Sequence, residues 1–140
     1  MNQGLIRRVW ERAERRCEYC HMPASGYLGS FHADHIIARQ HGGESGLQNL
    51  ALACLHCNQH KGPNIAGRNP ETGDVVELFH PRRDRWGDHF DRWGYHFESS
   101  GGDLTGKSAV GRATIQVLAI NDPGFRAVRI ALRDEGMVCK

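Results

Sequence analysis

The sequence predicts an α+β fold in which short helices and strands alternate around two cysteine pairs. Three observations lead there: an amphipathic stripe near the N-terminus, two short β-prone runs separated by a glycine loop, and the matched spacings Cys17-Glu-Tyr-Cys20 and Cys54-Leu-His-Cys57. At 140 residues the chain suits one domain, or one domain with a small appendage. Its hydrophobic fraction of 39%, charged fraction of 24% and net charge of +2 exclude a collagen, an acidic tail or a polybasic disordered segment. No apolar run approaches the roughly 18 residues of a membrane span. Residues 1–16 carry no apolar stretch of the secretory type, so the cytosol is the expected compartment.

Residues 5–16 place Leu5, Val9 and Arg12 or Ala13 on one helical stripe, with Ile6 and Trp10 beside it and arginines opposite. A helix is expected, leading directly into the first cysteine pair. Residues 27–37 are rich in aromatic and β-branched types and predict a strand. The loop 40–48 turns at Gly42-Gly43, and 49–53 predicts a second strand that enters the second cysteine pair. Asn58 to Lys61 then suit one or two helical turns, which Gly62-Pro63 breaks. The order is helix, cysteine pair, strand, loop, strand, cysteine pair, helix.

Beyond Gly67 the character changes. Residues 69–74 are dense in turn formers, and 75–79 predict a strand. Residues 86–97 hold Trp86, Phe90, Trp93, Tyr95 and Phe97, and 99–102 read as a loop. Val110, Ala113, Val117 and Ile120 repeat at helical spacing within 107–120. A last helix is expected to start with Asp122 as N-cap and Pro123 at its first position, and to stop at Gly136. With no linker and no repeat, residues 67–140 are expected to dock on a core formed by residues 1–66 as one compact unit.

Five cysteines in a cytosolic chain favour metal or reactivity over disulfides. A two-residue gap lets both thiolates of a pair reach one ion at about 2.3 Å, so Cys17, Cys20, Cys54 and Cys57 predict a closed structural zinc site. The 33 residues between Cys20 and Cys54 exceed a zinc ribbon's spacing, so something is folded into the interval. Cys139 reads as an unpaired surface thiol. Arginine outnumbers lysine 15 to 3, and five arginines stand against two glutamates in the first 16 residues. Arginine suits bidentate phosphate contact, so the distribution favours nucleic acid more than the sum of +2 does.

The inserted interval supplies Asp34-His35, then Asn49, then Asn58-x-x-Lys61. This is a carboxylate beside an imidazole, followed by two amides and a cation, all bracketed by the cysteine clamp. With the Gly-Gly loop and Asn-Leu between them, residues 17–62 resemble the HNH endonuclease family, over about a third of the chain. The family's third letter falls on Asn58 here, where some members carry His. The resemblance implies a ββα-metal core, a hairpin and a helix cradling one divalent cation. It also implies His35 as the base that activates water, and Asp34 and Asn58 as ligands of a catalytic Mg²⁺ or Mn²⁺. Asn49 would brace the loop and the orientation of His35. Lys61 would contact the substrate phosphate, and the products would carry 5′-phosphate and 3′-hydroxyl ends. Arg39, Arg82, Arg83 and Arg85 are further expected contacts to DNA, taken as double-stranded. Residues 79–82, 85–90 and 111–114 resemble the tail of bacterial HNH proteins.

These residue types suit phosphodiester hydrolysis. Imidazole accepts a proton around neutral pH. Oxygen and amide ligands suit a hard cation, which offsets charge building on phosphate oxygens. Adjacent strand residues point to opposite faces, so Asp34 and His35 can serve one ion only where the strand bends or ends. A local irregularity is expected at that pair, and a regular strand with the two side chains on opposite faces would remove Asp34 from the metal. Solvent or packing roles are expected for His32, His41, His56, His60, His80, His89 and His96. Two other readings compete: a zinc-stabilised nucleic-acid-binding module without catalysis, and a redox or zinc-storage protein.

Overall fold

The computed structural model describes residues 1–91 and 103–136. The expectations for Trp93, Tyr95, His96, Phe97, the loop 99–102 and Cys139 fall outside the described residues. The described elements mix short helices with three two-stranded antiparallel sheets, as the α+β reading requires.

Helix α1 spans Gln3–Arg12, with the Asn2 side chain accepting from the Leu5 amide at 2.7 Å. It is shorter than the predicted 5–16. Ala13 caps it, and Glu14 and Arg15 turn the chain through left-handed backbone at φ 53° and 57°, which redirects it into the first cysteine pair. Its apolar stripe buries Val9 against Leu50 and Leu52, with Leu5, Trp10 and Ala13 packed around them.

Strand β1, Phe31–His35, pairs with β2, Leu50–Cys54, in unbroken register from Phe31 opposite Cys54 to His35 opposite Leu50. β1 is also shorter than its predicted span. At one end Tyr27 leaves the ladder to pack its ring against Phe31 and Phe125, and at the other the strand gives way to a bend after His35. Every residue of β2 is buried, and its two faces serve different clusters. Leu50 and Leu52 face α1, while Ala51 and Ala53 join the cysteines in the main core.

Helix α2, Leu55–Lys61, begins earlier than predicted because the second cysteine pair is itself the first turn. Cys54 is the N-cap, its sulfur accepting from the Cys57 amide at 3.5 Å, and Gly62 ends the helix as foreseen. α2 packs against both strands of the hairpin, completing a ββα unit.

After it, β3 (Ala66–Arg68) and β4 (Val75–Glu77) form a second hairpin around the Asn69–Asp74 turn. β3 was invisible to sequence patterning, since Ala-Gly-Arg has no β preference. The predicted strand 75–79 stops at Glu77 because the Phe79 amide leaves the ladder for Thr114 Oγ1, 2.9 Å away. Helix α3 (Trp86–His89), β5 (Phe90–Asp91) and β6 (Thr105–Gly106) follow. Helix α4, Ala109–Val117, lies on β3 so closely that a Cβ at Gly67 would stand 2.5 Å from Val117 Cγ2. The last helix, α5, spans Pro123–Asp134 with Asp122 as N-cap and Pro123 in its first turn, and Gly136 takes a φ of 87° just beyond it. No described helix is long and apolar enough to cross a membrane.

Candidate functional site

Two centres flank the hairpin. The first is the cysteine cluster. The ligand atoms of Cys17, Cys20, Cys54 and Cys57 all lie within 4.8 Å of one another, and the Cys20 and Cys54 sulfurs are 3.8 Å apart. A tetrahedron with about 2.3 Å metal–sulfur bonds has edges of about 3.8 Å, so the cluster has the dimensions of a four-thiolate zinc site. Backbone amides support the sulfurs: Met22 N donates to Cys20 Sγ at 3.4 Å and Cys57 N to Cys54 Sγ at 3.5 Å. His21, at φ 65°, makes the tight turn behind the first pair.

All four cysteines are fully buried within the main hydrophobic cluster. Burial pushes the Cys20 and Cys57 thiols well up from their ordinary range. Cys17 moves well down despite the same burial, because hydrogen bonding from the other three cysteines favours its thiolate. A divalent metal would bind all four as thiolates and supply the positive charge that so dry a space otherwise lacks.

Glu18, inside the first pair, went unnoticed in the sequence. Its amide donates to Leu52 O at 2.8 Å and its Oε2 accepts from Leu52 N at 2.8 Å, so it pairs with the edge of β2 that β1 leaves open. Its other oxygen forms an ion pair with Arg82. The chain after residue 66 reaches the clamp at further points. Trp86 Nε1 donates to Tyr19 O at 2.8 Å, and the Trp86 ring stacks on His21 at 3.8 Å. His56, expected at solvent, is half-buried instead. It stacks on Phe125 and its Nε2 lies 2.8 Å from Ala119 O. Arg129 of α5 has no exposed surface, and its guanidinium lies over Phe125 and donates to Asn121 Oδ1 at 2.9 Å.

The second centre is the end of β1. The ladder runs in unbroken register through Asp34 and His35 and contains no bulge, so the irregularity expected at that pair is absent, and the strand simply ends after His35. Asp34 pairs with Ala51 on the face toward the main core, and its charge is felt by Tyr19 and Lys61. His35 pairs with Leu50 on the opposite face, and its Nε2 lies 2.8 Å from Ser45 Oγ. The two side chains therefore leave the strand's last two positions in opposite directions.

Asn49 is what ends the strand. It is buried, 7% exposed, and its side-chain amide takes over both backbone bonds of Ile37, accepting from N at 2.9 Å and donating to O at 3.0 Å. The same Nδ2 donates to Glu44 O at 2.9 Å. One amide thus ties the chain just past His35 to the loop just before Ser45. The loop comes so near that a Cβ on Gly43 would lie 1.7 Å from Ile37 O, leaving room only for glycine. Asn58 sits half-buried on α2, the helix packed against the hairpin.

The expected phosphate contacts divide in two. Lys61 is 2% exposed and donates from Nζ to Ile36 O at 2.9 Å, so it braces the turn after β1 and faces no solvent. Burial lowers its pKa, and the charge of Asp34 works against that. Arg82 is half-buried in its pair with Glu18, and burial, aided by the charge of Arg12, brings it down to about 10. Both side chains are spent on the fold because each is enclosed beside an acceptor that needs it. Arg39, Arg83 and Arg85 are exposed, Arg83 in a surface pair with Glu77 at 3.0 Å. Ser45 was legible only as a hydroxyl residue in the loop, and Arg129 only as a helical position.

Residues 17–64 match the family model described as HNH endonuclease. Comparison with curated proteins returns no match, and comparison with solved structures returns none. The matched stretch contains both centres, the ββα unit between them and all four clustered cysteines. Residues 17–64 therefore carry an HNH endonuclease domain pattern, a nuclease type of site, and the cysteines within it fit zinc.

Proposed function

We propose that this chain is a metal-dependent endonuclease that hydrolyses phosphodiester bonds of double-stranded DNA in the cytoplasm. One coincidence carries the reading. The family match falls on the stretch where a carboxylate and an imidazole leave opposite faces of a strand end, with an amide-bearing helix packed behind the hairpin.

Hydrolysis proceeds as an in-line displacement, in which the attacking and leaving oxygens lie on opposite sides of phosphorus. His35 serves the attacking side. It takes one proton from water as the water oxygen bonds to phosphorus, and the bond from phosphorus to the 3′-oxygen breaks. The leaving oxygen takes a proton from solvent, giving 5′-phosphate and 3′-hydroxyl ends. His35 is then a base and no ligand of the ion, and Asp34 and Asn58 would hold Mg²⁺ or Mn²⁺, which supplies charge stabilisation to the phosphate oxygens when bound. Asn49 keeps His35 and its loop in place. Zinc on the four cysteines is a scaffold with no open position for substrate.

Arg39, Arg83 and Arg85 are the exposed cations offered to the duplex. Residues 1–66 form the catalytic unit, and residues 67–140 are its docked extension, a reading supported by the contacts of Trp86, Phe125 and Arg82 with the clamp.

Plasmid nicking with Mg²⁺ or Mn²⁺, comparing wild type with His35→Ala, tests the proposal. Loss of cleavage in the variant is expected. Equal cleavage by both, or DNA binding with no cleavage by either, would reject it, the latter in favour of a binding module.

A further inference from the structure

We infer that Ser45 is a positioning residue for His35, holding Nε2 so that Nδ1 faces the attacking water. The inference rests on the hydrolytic reading above and adds to it a residue that the HNH pattern does not include.

Ser45 Oγ lies 2.8 Å from His35 Nε2. Ser45 is exposed on a loop, yet its distance from the ring is fixed from below by a buried side chain. Asn49 binds Ile37 N and O on one side and Glu44 O on the other, so the strand end and the loop keep one separation. The close approach of Gly43 to Ile37 O and Asn49 Nδ2 leaves the loop no slack at that point. The hydroxyl is thereby delivered to one ring nitrogen.

A neutral imidazole has one N–H donor and one lone pair. A base must direct its lone pair at water, so the nitrogen engaged by Ser45 carries the hydrogen. Nε2–H donates to Ser45 Oγ, and Nδ1 is left for the proton. When Nδ1 takes that proton from water, the ring becomes a cation and both nitrogens are donors. Ser45 still accepts from Nε2–H, now through a charge-assisted bond, which is the stronger kind. The contact therefore gains strength as proton transfer proceeds, and its loss falls on kcat rather than KM.

The test uses the full zinc-loaded chain with Ser45→Ala and Ser45→Thr. ¹⁵N spectra of the His35 ring at alkaline pH are expected to show a single Nε2–H tautomer in wild type and in Ser45→Thr. Ser45→Ala is expected to relax toward the mixed tautomers of a free imidazole. On plasmid, kcat of Ser45→Ala falls roughly tenfold, the size of one neutral hydrogen bond, with KM unchanged and most of the loss restored by Ser45→Thr. An Ala variant with wild-type tautomer and wild-type kcat would overturn the inference. Wild-type protein that never cleaves would defeat the hydrolytic reading alone, and the ring spectra would still decide whether Ser45 holds Nε2.

Discussion

His56 and Phe125 lie face to face, ring centres 4.0 Å apart and planes inclined by 12°. One residue stands between two of the clustered cysteines, and the other is in the first turn of α5, so the last helix is stacked directly on the metal clamp. Phe125 is only 4% exposed, and Phe125→Ala removes that cover. The expected cost is about 3 to 5 kcal/mol. Zinc should also leave faster to a chelator. Thermal unfolding followed with a zinc-sensitive dye reads both, and an unchanged release rate would show that α5 does not guard the clamp.

Cys54 joins three roles at one sulfur. It belongs to the cluster, ends β2 and caps α2. Structural zinc contributes about 10 to 16 kcal/mol of apparent folding free energy, as large as a small domain's whole stability. Cys54→Ser is therefore expected to leave residues 17–64 unfolded, as amide exchange over that region would register. A native-like unfolding curve for the variant would contradict this.

Asn49→Ala strips partners from Ile37 N, Ile37 O and Glu44 O together. Each lost bond at a buried group costs roughly 1 to 3 kcal/mol, and solvent reaching the loop keeps the total near about 2 kcal/mol. Cleavage should fall by at least as much as in Ser45→Ala, since the loop that carries the hydroxyl comes loose. The double variant Asn49→Ala/Ser45→Ala should be no worse than Asn49→Ala alone, because both act through the placement of His35. Additive losses in plasmid cleavage would separate the two residues.

The pH dependence of stability has a definite sign. Burial, followed by the charge of Arg83, lowers the pKa of His80, and its Nδ1 accepts from the Arg82 amide at 3.2 Å, a bond only the unprotonated nitrogen can make. His56 is lowered too, by burial first. A depressed pKa in the fold means that the unfolded chain takes up the proton first. The stabilisation is full above the ordinary histidine pKa of about 6.5 and drains away as pH falls through the lowered value. Urea unfolding across that window, compared with His80→Gln, should show a shallower slope in the variant.

The ββα unit was legible because its signals are local. Two-residue cysteine gaps, a Gly-Gly turn and a Gly-Pro stop each act within a few residues of themselves. The ends of β1 were not legible, because a side chain 14 positions after His35 decides where that strand stops. Lys61 and Arg82 look alike to any sequence reading of cations near phosphate. Only the packing shows that Ile36 O and Glu18 had already claimed them. Ser45 and Glu18 were missed for the same reason: their partners, His35 and Leu52, are 10 and 34 positions away.

The two hydrogen bonds between Glu18 and Leu52 have a consequence for a chain without metal on its cysteines. A strand edge with free N–H and C=O groups is a template for another copy of the same strand. β2 reads Leu-Ala-Leu-Ala-Cys, apolar and uncharged throughout; Arg12 holds Leu50 O, and Glu18, which seals Leu52, sits between Cys17 and Cys20. Zinc on the four cysteines would hold that seal together with the clamp, and its withdrawal is expected to open β2 to self-association.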